Sequence, residues 1–486
     1  MANTLVKTEQ GLVQGLEEGN ARVWKGIPFA KKPVGELRFQ PPEVHESWEG
    51  ALDCSSFGPI CPQNPEVAAM LGAPAVNMSE DCLYLNVWAP MGEKENLPVM
   101  VWIHGGAFRA GSGSSPLYDG SAFAENGDVI VVTLNYRLGA FGFLHLAGLD
   151  GGYTGNVGLL DQIAALKWVR ENIKAFGGNP DEVTIFGESA GSMSIASLLT
   201  MPAAEGLFKR AIMESGAEQV LPARSAAAVA EAMLDELGVD KQGLTSLKDI
   251  SAEKIIEAAE KVNQGAGLSM LFQPVVDGDT LPDYPQKAIS EGAAKDVPII
   301  IGTNHDEGAF FFRPGSKPMP EQVRNATMMK MAGRELFDKI KDQYSATIEG
   351  QAQFMTDFVF WKPSINYAEA QAKHAPVWMY RFDWHIPDHP VVAKASHGLE
   401  IPFVFTHYGY LKRLEVDVDE GVKNLARQMQ DAWISFAKTG DPNAGGSGLR
   451  WPTYNTEVRS TIVFNRESEV VEDPDGEKRR LVMEDN

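Results

Sequence analysis

Five residues, Gly187-Glu188-Ser189-Ala190-Gly191, close the apolar, β-branched run Val183-Thr184-Ile185-Phe186 and open a stretch compatible with a helix. A serine on a sharp strand-to-helix turn projects its Oγ out of a sheet, and small residues at both ends let neighbouring backbone approach, so Ser189 is a candidate nucleophile. Five letters of this kind are expected ~0.3 times by chance in a chain of this length and composition, so the reading needs companions. One stands upstream, where His104-Gly105-Gly106-Ala107-Phe108 ends the apolar run Val99-Met100-Val101-Trp102-Ile103. Without a Cβ, Gly105 and Gly106 can turn their N–H groups toward a bound anion, and the N–H of Ala190 supplies a third donor. Three preorganised donors suit the oxyanion of an acyl transfer, where loss of one raises the barrier by about 2.7 to 4 kcal/mol. The remaining companions are a carboxylate and a histidine in the order Ser, acid, His. The strand-like run 297–301 delivers Asn304-His305-Asp306-Glu307-Gly308, which leaves Asp306 and Glu307 both open as the acid. Five histidines follow: His374, His385, His389, His397 and His407. His397 precedes Gly398 and the apolar Ile401-Pro402-Phe403-Val404-Phe405, which places it in a loop against a buried element, whereas His385 and His389 lie near prolines and read as surface residues. Spacing alone does not choose among them.

Elements that could position these groups are legible as periodicity. Strand-like runs at 99–103, 129–133, 183–186, 211–213, 299–301 and 377–382 alternate with helix-like segments, two of them at 223–237 and 251–262. That alternation predicts an α/β fold with a mostly parallel central sheet flanked by helices, and Ser, acid, His is the chain order of the α/β-hydrolase architecture. The helix-rich stretch 320–374 falls between the acid and His397, where helical insertions covering a substrate could be built, and its amphipathic pattern fits plain scaffold equally well. A chain of 486 residues with 44% hydrophobic content buries a large core. It shows no Pro/Gly/Ser-rich linker, no low-complexity tract and no repeat, so a single domain over residues 1–486 is expected.

Longer stretches carry a resemblance. The segment from Phe176-Gly177-Gly178-Asn179-Pro180 through Gly191 resembles the nucleophile signature of the type-B carboxylesterases, the family that includes cholinesterases and bacterial p-nitrobenzyl esterases. Glu80-Asp81-Cys82-Leu83-Tyr84-Leu85-Asn86-Val87 is similar to the second signature of that family, and Gly26-Ile27-Pro28-Phe29-Ala30, Asn135-Tyr136-Arg137-Leu138-Gly139 and Phe436-Ala437-Lys438-Thr439-Gly440 to further landmarks. The resemblance implies an α/β-hydrolase fold and a carboxylic ester hydrolase acting through an acyl-enzyme. It implies Ser189 as nucleophile, Glu307 rather than Asp306 as the acid, His397 as the base, and Gly105, Gly106 and Ala190 as oxyanion donors. It also places Glu188 and Ser215 behind the triad. Cholinesterases hold quaternary ammonium against a tryptophan between the cysteines resembled by Cys61 and Cys82. No aromatic residue lies between those two here, so a broad apolar ester pocket is expected in place of a choline site. Met193, Met270, Leu271, Phe272, Phe310 and Phe311 are its candidate lining, each of them equally at home in an ordinary core. The family also contains non-catalytic adhesion proteins, but these lose triad residues that this chain retains. An acyltransferase using the same triad stays open.

The net charge of −22 disfavours nucleic acid, whose recognition needs clustered Lys and Arg. The compact basic group Lys478-Arg479-Arg480 is flanked by acidic residues and reads as a solvated tail. The opening residues, Met1-Ala2-Asn3-Thr4-Leu5-Val6-Lys7, carry no apolar leader core, and no apolar run approaches ~18 residues, so a cytoplasmic protein without membrane contact is expected. In secreted relatives the positions resembling Cys61 and Cys82 form a disulfide, whereas a reducing cytoplasm would leave thiols. Cys54, Cys61 and Cys82 do not have zinc-site spacing, and the adjacent His305, Asp306 and Glu307 would rarely all face one ion, so no metal or cofactor is expected. The expected partner is a small-molecule ester, and the expected assembly is a monomer.

Overall fold

Valine, isoleucine and threonine recur in the inner strands because branched side chains fill a pleated surface covered on both faces. The structure, a computed structural model, describes residues 4–70, 77–150, 152–264, 270–312, 315–445 and 450–483. The opening residues 1–3 and part of the aromatic-free loop, 71–76, lie outside the described residues. Its contacts divide the chain into two units, residues 1–211 with 219–288, and residues 212–218 with 289–486.

In the first unit, strands β1 (Leu16–Glu18), β2 (Ala21–Pro28), β3 (Tyr84–Pro90), β4 (Leu97–Ile103), β5 (Ile130–Leu134) and β6 (Gly178–Glu188) lie side by side in the order β6-β4-β5-β3-β2-β1. β4 runs parallel to both β5 and β6, with Val101 facing Val132 on one side and Ile185 on the other. β3 runs antiparallel to β5 and to β2. Every residue of β5 is buried, as is β6 from Val183 to Glu188, so both strands are continuous apolar runs rather than alternating ones. Helices α1 (Val157–Asn172), α2 (Ala190–Leu198), α3 (Ala223–Leu237) and α4 (Ala252–Gln264) belong to the same unit. α3 spans the residues that the sequence pattern predicts, and Gly238 ends it in the left-handed conformation that lacks a Cβ penalty.

The second unit orders β11 (Glu469–Glu472), β10 (Ser460–Phe464), β9 (Val377–Phe382), β8 (Ile299–Asn304) and the last residues of β7 (Arg210–Glu214). β8, β9 and β10 are mutually parallel, and β11 adds an antiparallel edge. All six predicted strands are present, and the sheet is mixed because antiparallel strands flank the parallel ones. The predicted insertion folds as α5 (Glu321–Ala332), α6 (Arg334–Ile340), α7 (Ile348–Met355), a π-helical turn (Thr356–Trp361) and α8 (Lys362–Gln371).

One expectation fails. Lys478, Arg479 and Arg480 are not a solvated tail but part of α9 (Gly476–Met483), where opposite charges tie them down. Lys478 Nζ lies 2.9 Å from Oδ1 of the fully buried Asp357 and 4.4 Å from the centre of the Trp361 ring. Arg479 pairs with Asp473 at 2.8 Å. Acidic neighbours near in sequence look like charge dilution, whereas Asp357, far away in sequence, is what anchors the cluster.

Candidate active site

In the first unit, β6 ends at Glu188 and α2 starts at Ala190, so Ser189 alone makes the turn. Its backbone sits at φ 54°, ψ −122°, a region that L residues avoid at about 1 to 3 kcal/mol. The glycines of the motif explain how the turn is held. A Cβ on Gly191 would lie 1.9 Å from the carbonyl oxygen of Ile103, and one on Gly187 would lie 2.5 Å from the same atom. The elbow therefore rests on the end of β4 with no room for a methyl group. Ser189 is 9% exposed, and its carbonyl accepts the first bond of α2 from the Met193 N–H at 2.9 Å.

β4 ends at Ile103 and hands over to the glycine loop. A Cβ on Gly105 would lie 2.7 Å from Glu188 Oε2 and 3.1 Å from Ser189 Cβ, which brings this loop, Glu188 and the serine into one cluster. Gly106, Ala107 and Phe108 follow one another at φ 115°, 55° and 58°, a run of left-handed residues that reverses the chain. The Gly106 carbonyl faces inward to accept from the Arg109 and Ala110 N–H groups at 3.0 Å. Among the described residues, the N–H groups of Gly105, Gly106 and Ala190 donate to no atom of the chain. His104 buttresses the loop: one ring nitrogen, Nδ1, lies 2.8 Å from the Gly105 carbonyl, and the ring stacks on Tyr136 at 4.4 Å. Burial pushes its pKa down to about 4, so it is neutral at ordinary pH and Nδ1 can donate.

In the second unit, His397 Nδ1 lies 2.6 Å from Glu307 Oε2, with Glu307 fully buried and His397 9% exposed. This geometry separates the two acids left open by the sequence. Asp306 turns to His305 Nδ1 at 3.0 Å and Lys394 Nζ at 3.6 Å, while Glu307 turns inward to the histidine. The His305-Asp306-Glu307 triplet therefore disperses to different partners. Glu307 Oε1 accepts the Asn304 N–H at 2.8 Å. Three phenylalanines surround the imidazole, with ring centres at 5.9 Å (Phe310), 5.3 Å (Phe311) and 4.7 Å (Phe360). Ser215, at φ 52°, donates its hydroxyl to Glu400 Oε1 at 3.3 Å.

The predicted lining residues part company. Phe310 and Phe311 meet His397 and are 38% and 37% exposed. Met193 is buried on the first turn of α2 after Ser189. Phe272 is buried beside a small cavity that Arg109, Leu138, Phe141 and Glu260 also line, and Met270 and Leu271 are half-buried. Sequence reasoning missed Phe360, Asn304 and Glu400. Glu400 is fully buried, and burial together with the nearby Glu307 carboxylate raises its pKa to about 7. A carboxylate inside the apolar stretch after His397 was the available signal for it. Phe360 gave no signal, because a π-helical turn delivers it from a segment that reads as ordinary helix.

Known proteins resemble this chain over nearly its whole length. The model of the carboxylesterase family matches residues 2–481. The chain is 49% identical to the para-nitrobenzyl esterase of Bacillus subtilis (strain 168) over 99% of both proteins. It is 37% identical to an acylcarnitine hydrolase of Mus musculus, over 93% of this chain and 86% of the relative. A solved structure of a thermophilic PNB esterase superposes with a TM-score of 0.96 at 48% identity, over 99% of this chain and all of the other.

Proposed function

Because the chain belongs to the carboxylesterase family, we propose that its hydrolysis of carboxylic esters runs through Ser189, His397 and Glu307. The protein is a serine carboxylesterase with an α/β-hydrolase fold, and its substrates are small-molecule esters. The observation that carries the assignment of residues is the buried 2.6 Å bond between His397 Nδ1 and Glu307 Oε2. A carboxylate on Nδ1 fixes that nitrogen as the N–H, which leaves Nε2 with a lone pair to act as base. In this reading Nε2 removes the Ser189 proton as Oγ attacks the ester carbonyl, and Glu307 stabilises the imidazolium that results. The negative oxygen of the tetrahedral intermediate is received by the Gly105, Gly106 and Ala190 N–H groups, whose lack of other partners supports the role. His397 returns the proton to the departing alkoxide, and water repeats the cycle on the acyl-enzyme.

Short to medium acyl chains are the proposed substrates, with Phe310, Phe311 and Phe360 as the aromatic wall beside the base and Met193 beside the nucleophile. Glu188 and Ser215 are proposed as supports, supported by Glu188 lying against Gly105 and by the bond from Ser215 to Glu400. The family match over 2–481 supports treating 1–486 as one domain. A cytoplasmic, bacterial monomer that avoids nucleic acid and membranes completes the proposal. The charge of −22 favours repulsion from polyanions, and no described helix is long and apolar enough to cross a membrane.

Hydrolysis of p-nitrophenyl acetate, butyrate and octanoate by the purified protein and by Ser189→Ala tests this reading. Turnover lost in the variant and strongest on the shorter chains is the expected result. Equal turnover in the variant would refute it, and predominant acyl transfer to added alcohol at modest concentration would make the enzyme an acyltransferase.

A further inference from the structure

Building on that triad, we infer that Asn304 is a positioning residue that sets the acid and the base relative to each other: its backbone holds Glu307, and its carboxamide holds the chain that carries His397. Asn304 is the last residue of β8 and is 1% exposed. Its N–H donates to Glu307 Oε1 at 2.8 Å, which leaves Oε2 free to meet the imidazole. Its Nδ2 donates at 2.8 Å to the carbonyl of Ser396, the peptide group that leads directly into His397. The same nitrogen also donates to Oε2 of Glu400, three residues past the histidine.

Both hydrogens of the amide are thus spent on groups that bracket His397 in the chain. A primary amide offers two N–H donors on one uncharged nitrogen, which serine, leucine and aspartate at this length do not. The bracket closes on the strand at its other end as well. Glu400 Oε1 accepts the Ser215 hydroxyl at 3.3 Å, and the Ser215 N–H donates to the Gly302 carbonyl of β8 at 2.9 Å. β8 is a poor place for slack, because it pairs with β9 over its full length, Asn304 opposite Phe382. The loop bearing the base is therefore referred to the same rigid strand that presents the acid. A carboxylate–imidazole bond is strong only at the right separation and angle, and a shift of about 1 Å in such a group lowers turnover on the order of 100-fold.

Within this unit, Glu307 touches His397 and Glu400 interacts with it electrostatically. Asp306 is occupied by His305 and Lys394. The surrounding Phe310, Phe311 and Phe360 are uncharged.

The test is the pH dependence of kcat and kcat/KM on p-nitrophenyl butyrate for Asn304→Ala and Asn304→Ser, with Asp306→Asn as the control. The expected result is a fall in kcat of about 10- to 100-fold with KM changed by less than about threefold. The acid limb of kcat/KM should move to lower pH in both variants, since an imidazole displaced from the Glu307 carboxylate is stabilised less as imidazolium. The position of that limb does not depend on the fraction of protein folded. An unshifted limb with kcat within about twofold of the parent would overturn the inference. So would failure of both variants to fold, which would assign Asn304 to the scaffold. Failure of the triad itself looks different: turnover in Ser189→Ala, or a harmless Glu307→Gln, removes the premise, whereas normal Asn304 variants beside two dead ones remove only this inference.

Discussion

The two units hold the proposed catalytic residues on features made in different ways. The first builds its share from backbone: a strained serine, a run of left-handed residues and glycines pressed against the Ile103 carbonyl. The second builds its share from side chains: Glu307, His397, Asn304, Glu400 and Ser215, which come from three separate stretches of sequence and meet in a buried network. A backbone site is fixed by local chain geometry and fails when a methyl group is added. A side-chain site is fixed by mutual hydrogen bonds and fails by degrees.

The comparison can be broken most severely at Gly191. An alanine there places a Cβ 1.9 Å from a backbone oxygen that has no rotamer to escape into, so Gly191→Ala should abolish turnover of p-nitrophenyl esters and lower thermal stability. Retained activity would mean that the elbow is looser than its geometry implies. In the second unit, Glu307→Gln should reduce kcat by about 10³- to 10⁴-fold, because an amide no longer stabilises the imidazolium. Asp306→Asn should change it by less than about threefold, since only the outer contacts to His305 and Lys394 are affected. The reverse ranking in steady-state kinetics would mean that the wrong carboxylate carries the role.

The mildest test concerns Glu400. It keeps its proton up to about pH 7 in the folded protein, because of burial first and the Glu307 carboxylate second, while an unfolded glutamate releases it near ~4.3. The folded state therefore binds the extra proton between those values, and stability falls as pH rises through that window before levelling off. Glu400→Gln keeps the shape and does not ionise. Between pH 5 and pH 8 its stability should decline less than that of the parent, by roughly 2 to 3 kcal/mol in denaturant titrations. Parallel pH curves would show that Glu400 is ionised throughout.

The same contrast explains what was legible in the sequence. Ser189, Gly105, Gly106 and Ala190 lie in short contiguous motifs, and their chemistry follows from the strand before and the turn after. Glu307 and His397 were reachable only through resemblance, because residues 90 positions apart acquire their meaning from β8 and the loop before Ile401 lying together. Asn304 was inside a quoted motif without a role, since nothing in the letters says which donor a buried amide will meet. Phe360 arrived on a π-helical turn, and Lys478 found a partner 121 residues away, neither of which periodicity reveals. The six inner strands were readable because burial on both faces makes them unbroken apolar runs. The edges β1 and β11 were not, being short and partly exposed, and the buried β2, β3 and β10 were missed as well.

The central claim is that Ser189 is the group acylated in turnover. Treating the protein with a fluorophosphonate, which reacts with activated serines, and mapping the adduct by peptide mass spectrometry tests it directly. The account predicts one adduct, on the peptide containing Ser189, formed together with loss of esterase activity and absent from Ser189→Ala. An adduct on another residue, or inactivation of the enzyme with Ser189 unmodified, would contradict it.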